Sequence, residues 1–416
     1  MKHTFASYIF SLSAAFFFSL MACSADKAET LPDTENVEQE TEDAQGDGMT
    51  QEEKEELMKL PYRKIIETYY DGEFYFGMAN KADLIGQLST DIADREFNYI
   101  TPCNDFKQSY IHPTFNRWRW EKPDAYLAHA KANGQILRAH GPISPQCSPW
   151  AREDNRTPEE LSRMLEEFMT GFCMKYNSEA ETIPWMDVVN ETIAKENLKD
   201  PVFGNQVRGE WFAAREGNDK WENPWTIIGY DEESAIRTPL YIDMAFEISN
   251  RLAPDIKQII NQHGDFEEVV WQRMKELVKY LRDKGRRIDG IGWQAHINAG
   301  WEKVEGNVKR LDDFITWCHT NNFEFHITEM NVWTEVKIKG KPVSFTEEEQ
   351  AETFAAVIET VLKHYKQGKV GVNFWNVRDE DTANPTWKGC IWRNDGTPRP
   401  AYNRIKEVLV KYIEKK

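Results

Sequence analysis

Strand-like apolar runs recur along this chain with helical stretches between most of them, and that alternation restricts the fold more than any other feature. The runs are Phe74–Met78, Phe97–Ile100, Gln135–Arg138, Trp185–Val189, Ile256–Ile260, Ile288–Trp293, Phe325–Ile327 and Val370–Trp375. Short runs rich in β-branched and aromatic residues read as strands, and strands separated by helical patterns imply parallel pairing through crossovers. Eight such units over about 350 residues have the count and length of an α/β fold, a (β/α)8 TIM barrel forming a single domain. An open doubly wound sheet is the competing arrangement. It would carry a glycine-rich phosphate loop after an early strand, and none is present. Local signals agree. Thr157-Pro158-Glu159-Glu160 supplies an N-cap, a first-turn proline and a capping box. Gly285 closes a helix running from about Phe266 to Lys284, and Pro400 opens a last helix through Val410.

Two of these strands end on a carboxylate. Trp185-Met186-Asp187-Val188-Val189-Asn190-Glu191 is the fourth, and Phe325-His326-Ile327-Thr328-Glu329-Met330 is the seventh. An isolated charge in apolar surroundings is costly, so each glutamate needs a partner or a task. In a barrel the carboxyl ends of the strands carry the reactive groups, and the fourth and seventh strands lie nearly opposite each other. Two facing carboxylates suit glycoside hydrolysis, one as acid and the other as nucleophile or base. Polar and aromatic groups follow other strands: Asn104 and Lys107 the second, Arg138 and His140 the third, Gln294 and His296 the sixth, with Trp375 closing the eighth. His296 is placed to orient Glu329. A metal held by His140 and His296 is the competing use of those histidines, but sugar hydrolysis needs neither metal nor cofactor.

Composition narrows the partners. Of the 416 residues 40% are hydrophobic, enough for a large core, and the fifteen tryptophans suit sugar faces as well as protein interiors. A net charge of −18 argues against nucleic acid, which needs a basic surface. Between Asp26 and Lys59 there are thirteen acidic residues and three lysines, a net ten of those eighteen charges. Residues 24–59 therefore read as an acidic disordered tether and 60–416 as the catalytic domain. Residues 1–23 read as a signal peptide with a basic start and an apolar run too short for an ordinary spanning helix. The run ends Leu20-Met21-Ala22-Cys23, which resembles the lipobox of bacterial lipoproteins, with Cys23 as the lipidation site; an ordinary cleavable signal is the alternative. The expectation is an exported monomer, lipid-anchored at the outer membrane or cell surface of a Gram-negative bacterium and touching membrane through that anchor only. Cys103, Cys147, Cys173, Cys318 and Cys390 have no metal-type spacing, and buried free thiols are the default.

The motifs together resemble glycoside hydrolase family 10, the barrel endo-β-1,4-xylanases, from about Phe74 to Tyr402. The resemblance rests on Ile100-Thr101-Pro102 with Asn104 and Lys107, on Arg138-Ala139-His140, and on Trp185–Glu191, which carries Met186 inside the family's W-D-V-V-N-E. It extends through Gly290–His296, Ile327-Thr328-Glu329 and Phe374–Asp379. It implies a retaining endo-1,4-β-xylanase acting on polysaccharide, with Glu191 as acid/base and Glu329 as nucleophile. It also implies that Asn190 holds the sugar 2-hydroxyl and that Asn104, Lys107, His140, Gln294, His296 and Trp375 bind substrate. A retaining hydrolase of another β-linked glycan and a non-catalytic polysaccharide-binding lipoprotein are the alternatives; the intact glutamate pair speaks against the second.

Departures from the family pattern cluster on one side. Cys103 replaces a Glu, Gln108 a Trp and Ala383 a second Trp, although Trp387 and Trp392 lie nearby. His140-Gly141-Pro142-Ile143-Ser144-Pro145 replaces H-T-L-V-W-H, and Met330-Asn331 replaces Leu-Asp. Losing two aromatic platforms, each worth about 1 kcal/mol, points to a rebuilt glycone-side pocket that favours substituted xylan.

Overall fold

A computed structural model describes residues 49–413 except 71, 154, 195–209 and 215–222. Eight parallel strands close on themselves: β1 Phe74–Ala79, β2 Tyr99–Thr101, β3 Ile136–Ala139, β4 Trp185–Asn190, β5 Lys257–Gln262, β6 Gly290–Trp293, β7 Glu324–Trp333 and β8 Val370–Trp375. Closure comes from β1 pairing with β8, Phe74 opposite Val370 through Ala79 opposite Trp375. Each crossover carries helix, from Leu88–Glu96 after β1 to Glu347–Leu362 after β7, and Pro400–Lys411 follows β8. The fold is the (β/α)8 barrel expected.

The helix signals work as their chemistry requires. Thr157 and Glu160 cap Pro158–Tyr176 reciprocally. Helix Glu268–Asp283 ends at Gly285 with φ +79°, and Arg286 N–H donates back to the Leu281 carbonyl at 2.9 Å. One boundary is corrected. Gln51–Lys59, inside the stretch expected to be a tether, is a helix with a Thr50–Glu53 capping box and a buried Leu57. Acidic composition masked it, because only one of its faces meets the core.

Most of the apolar core lies between barrel and helices, where Phe76, Phe97, Phe354 and Phe374 pack together. Trp392 belongs to this layer, edge-on to Phe97 and Tyr62. Inside the barrel, side chains alternate inward along each strand. Tyr99, Trp185 and Ile259 fill the amino-terminal end against Tyr75 and Ile136. Gly77 is required there, because any Cβ would run into Tyr99. Above this plug stands a charged layer. Arg138 Nε lies 2.9 Å from both Asp187 oxygens, Nη2 reaches Oδ1 at 2.5 Å, and both side chains are fully buried. Burial alone would push the Asp187 carboxyl up, but Arg138 and His140 outweigh it and hold it at about 2.

Two strands are bulged, both where they approach the barrel mouth. In β4, Asp187 pairs with Ile259 and Val189 with Ile260, leaving Val188 extra. Asp187 and Asn190, three residues apart, therefore both point inward. In β7 the pairing jumps from Ile327–Val372 to Met330–Phe374, which lets the consecutive Thr328 and Glu329 reach the same interior partner.

Replacing Arg138 with Met strands a buried carboxylate and is expected to cost about 3–5 kcal/mol of stability. Arg138→Met combined with Asp187→Leu is expected to recover most of that. Urea denaturation of both variants checks this; a single variant within 1 kcal/mol of wild type, judged against the usual penalty, would show the pair to be incidental.

Candidate active site

The mouth of the barrel is built from adjacent strand ends, each tied to its neighbour by backbone. Glu191 N–H donates to the Asn261 carbonyl at 3.0 Å, Gln294 N–H to Gln262 at 2.9 Å, and Glu329 N–H to Gln294 at 3.1 Å. Glu191 sits at φ +58°, and Cys103, Ala295 and Asn376, at the ends of β2, β6 and β8, are also left-handed. Non-glycine residues pay for that geometry, which turns the chain sharply from strand to loop and aims the side chain across the mouth.

Asn261, on β5, joins the two glutamates. Its Nδ2 donates to Glu329 Oε1 at 2.9 Å and to Asn190 Oδ1 at 2.9 Å, and its Oδ1 accepts from Thr328 Oγ1 at 2.8 Å. Gln294 Nε2 completes the bridge, 2.8 Å from Glu191 Oε1 and 3.3 Å from Asn190 Oδ1. Gly292 leaves room for this, since a Cβ there would meet Asn261 Oδ1. The sequence-based strand boundary at Ile260 stopped one residue short of Asn261. Two-residue alternation from Ile259 would have found it.

Two imidazoles serve Glu329. His140 donates or accepts at Nδ1 with Asp187 Oδ2 at 2.9 Å, which leaves Nε2 3.6 Å from Glu329 Oε1. His296 Nε2 stands 3.4 Å from Oε2. Burial pushes the Glu329 carboxyl up, but His140, His296 and Lys107 outweigh it and hold it at about 2. Glu329 is thus a buried carboxylate ionised throughout the neutral and mildly acidic range. No group of three or more His, Cys, Asp or Glu among the described residues is arranged to hold a metal.

The expected residues come together unequally. Glu191, Glu329, Asn190, Gln294, His140 and His296 form one polar network. Lys107 is buried beside it and donates to Gln146 Oε1 at 2.9 Å. Trp375 meets the His140 ring edge-on at 5.2 Å and the His296 ring at 6.2 Å. Asn104 is half-buried in the turn after β2, without a side-chain hydrogen bond to the network. Cys23 lies outside the described residues. Asp187, Asn261, Gln146 and Trp333 were missed. Trp333 stacks parallel to His296 at 5.9 Å and meets Trp387 edge-on at 4.6 Å, extending the aromatic lip. Of the two tryptophans near Ala383, only Trp387 faces solvent, and Trp392 is core. Cys103 is a buried thiol accepting from Asn376 Nδ2 at 3.4 Å. All five cysteines of the described residues are buried and free.

A closed barrel that holds two glutamates across its carboxyl-terminal mouth, one of them locked in the ionised form, defines a glycosidase acting on O-glycosyl bonds. Comparison with known proteins makes this particular. Residues 65–408 match the model of glycosyl hydrolase family 10, and the chain belongs to that family. It is 27% identical over 366 residues to endo-1,4-beta-xylanase A of Caldicellulosiruptor saccharolyticus, covering 84% of this chain and 96% of that one. It is 25% identical over 334 residues to endo-1,4-beta-xylanase B of Thermotoga neapolitana, covering 78% and 84%. The fold matches xylanase 10B from Thermotoga petrophila RKU-1 in complex with xylobiose, with a TM-score of 0.67, 24% identity and coverage of 85% and 98%. It also matches a family member from Paenibacillus barcinonensis, with a TM-score of 0.69, 20% identity and coverage of 84% and 97%.

His296→Gln removes a cation from Glu329, so the charged form loses support and the Glu329 pKa is expected to rise toward the ordinary glutamate range. Carboxyl 13C NMR titration of the two proteins reads this directly. An unmoved Glu329 resonance would mean that His296 does not govern the charge.

Proposed function

We propose that this chain is a retaining endo-1,4-β-xylanase, with Glu191 as acid/base and Glu329 as nucleophile. The observation that carries it is the asymmetry of the pair. Glu329 is held ionised by two histidines and a lysine, whereas the only side-chain partner bonded to Glu191 is a neutral amide. In the first step Glu329 attacks the anomeric carbon while Glu191 gives its proton to the glycosidic oxygen, which departs as the sugar alcohol. In the second, Glu191 takes a proton from water, the hydroxyl adds to the anomeric carbon, and the ester to Glu329 breaks. Two inversions give net retention. Asn190 Nδ2 and His140 Nε2 are buried without a hydrogen-bond partner, and both suit sugar hydroxyls at the cleavage point, the amide serving the 2-hydroxyl. Asn104, Lys107, Gln294, His296 and Trp375 complete the binding surface. The xylanases among the relatives support xylan as the polymer.

The glycone-side pocket is proposed to be rebuilt for substituted xylan. Where the family has a tryptophan, Gln108 is buried and spends its amide on Ser148 and the His112 carbonyl. It therefore offers no platform, and Gln146 supplies a polar group beside Lys107 instead. We further propose that residues 1–23 direct export, that Cys23 carries a lipid, and that the acidic segment before the first helix spaces a monomeric enzyme from the membrane. Palmitate labelling, lost in Cys23→Ala, checks the anchor.

Glu329→Gln and Glu191→Ala are each expected to lower xylan hydrolysis by about three or more orders of magnitude with the fold intact. Early products from linear xylan, followed by 1H NMR, are expected to appear as the β-anomer and as oligosaccharides of mixed length. Near wild-type rates in either variant, or initial α-anomer, would overturn the assignment.

A further inference from the structure

The loops after β2 and β3 leave the active site as one unit and carry an aromatic pair set among arginines. Lys107–Gln146 and Gln108–Ser148 tie the two loops together, and Trp150 follows Gln146 by four residues. Trp150, from the β3 loop, meets Phe115, from the β2 loop, edge-on at 4.9 Å and 75°. The Arg156 guanidinium lies 4.0 Å from the Trp150 ring centre, and that of Arg163 lies 4.2 Å from the Phe115 ring centre. Neither ring is fully buried.

The charges around this pair do not balance. Arg156 is satisfied by Glu153 and Glu160, and Glu167 is engaged by His112 at 3.1 Å. Arg117, Arg152 and Arg163 make no ion pair among the described residues, and Arg152 Nε is shielded from solvent without any hydrogen-bond partner. Arg117 is thrown outward by a tight turn, with Asn116 at φ +59°. A chain with a net charge of −18 thus concentrates unpaired guanidinium groups beside a sugar-sized aromatic surface, next to its proposed glycone pocket.

We infer that Trp150, Phe115, Arg117, Arg152 and Arg163 form a distal subsite for a uronic acid substituent on the polysaccharide, the rings taking its apolar face and the guanidinium groups its carboxylate. A carboxylate is the ligand indicated because guanidinium forks match it in two-point contact, whereas a neutral arabinose branch would leave three cations unused. The inference rests on the xylan reading above and names the decoration that the altered pocket selects.

The test compares kcat/KM on an acidic glucuronoxylan with that on the same polymer after carboxyl reduction, which changes only charge. Wild type is expected to favour the acidic polymer roughly five-fold at low salt, against the repulsion of its own net charge, and to lose the preference in about 0.5 M NaCl. Arg117→Gln/Arg152→Gln/Arg163→Gln is expected to bring the ratio to about one at any salt, and Trp150→Ala to weaken use of both polymers. A wild-type ratio near one overturns the subsite, as does a preference that survives salt or the triple substitution. If that variant does not fold, the salt series on wild type still decides. Cleavage of neither polymer overturns the xylan reading itself, a result distinct from cleavage of both without preference.

Discussion

The buried Arg138–Asp187 pair is the contact on which the chemistry of this barrel depends. Two ions taken fully out of water are costly, and their mutual attraction repays the cost only when geometry and hydrogen bonding are complete. Here Arg138 covers Asp187 with three close contacts, and the remaining carboxylate capacity goes to His140 Nδ1. That last bond directs the other ring nitrogen toward Glu329. An imidazole pinned from behind is a fixed donor. Charge at the barrel axis thus becomes orientation at its mouth, and orientation becomes an ionised Glu329.

Much of this was legible in the sequence because periodicity and chain order carry it. Strands buried on both faces read as apolar runs, and a carboxylate at the end of such a run stands out, so Glu191 and Glu329 were visible without structure. What was hidden depended on inward direction. Asp187 lies inside a motif but could not be told from a solvent-facing residue until Val188 was known to bulge. Asn261 follows a run that seemed complete at Ile260. Trp333 lies beyond the glutamate on an unusually long strand, and its stacking on His296 is a contact between strand ends distant in sequence. Helix Gln51–Lys59 escaped because the charge of its exposed side resembled a tether.

The extra residue of the fourth strand shows how the fold absorbs change. Relative to the family pattern, Met186 lengthens the stretch from Trp185 to Asn190 by one residue. In a regular strand one added residue would reverse every side chain beyond it. The bulge at Val188 takes up the surplus, so Trp185, Asp187 and Asn190 all remain inside and Glu191 still opens the loop. On the opposite rim, the β2 and β3 loops changed composition instead. Gln108 turned from the cleft into the protein and Trp225 Nε1 secured the Ser144 carbonyl at 3.0 Å. A new wall was made there by cross-bracing two loops and not by replacing one platform with another.

The closing register has a consequence for how the molecule comes into being. β1 finds one neighbour within about thirty residues, but its other edge stays unpaired until β8 has been made, because Phe74 pairs with Val370. A ribosome therefore releases nearly the whole barrel as an open sheet whose first strand is an exposed edge, the state in which strands pair with the wrong partners. Contacts this distant in sequence also slow folding. Truncation at the carboxyl terminus would not trim this enzyme; it would leave the barrel with a seam and the active site without its eighth wall.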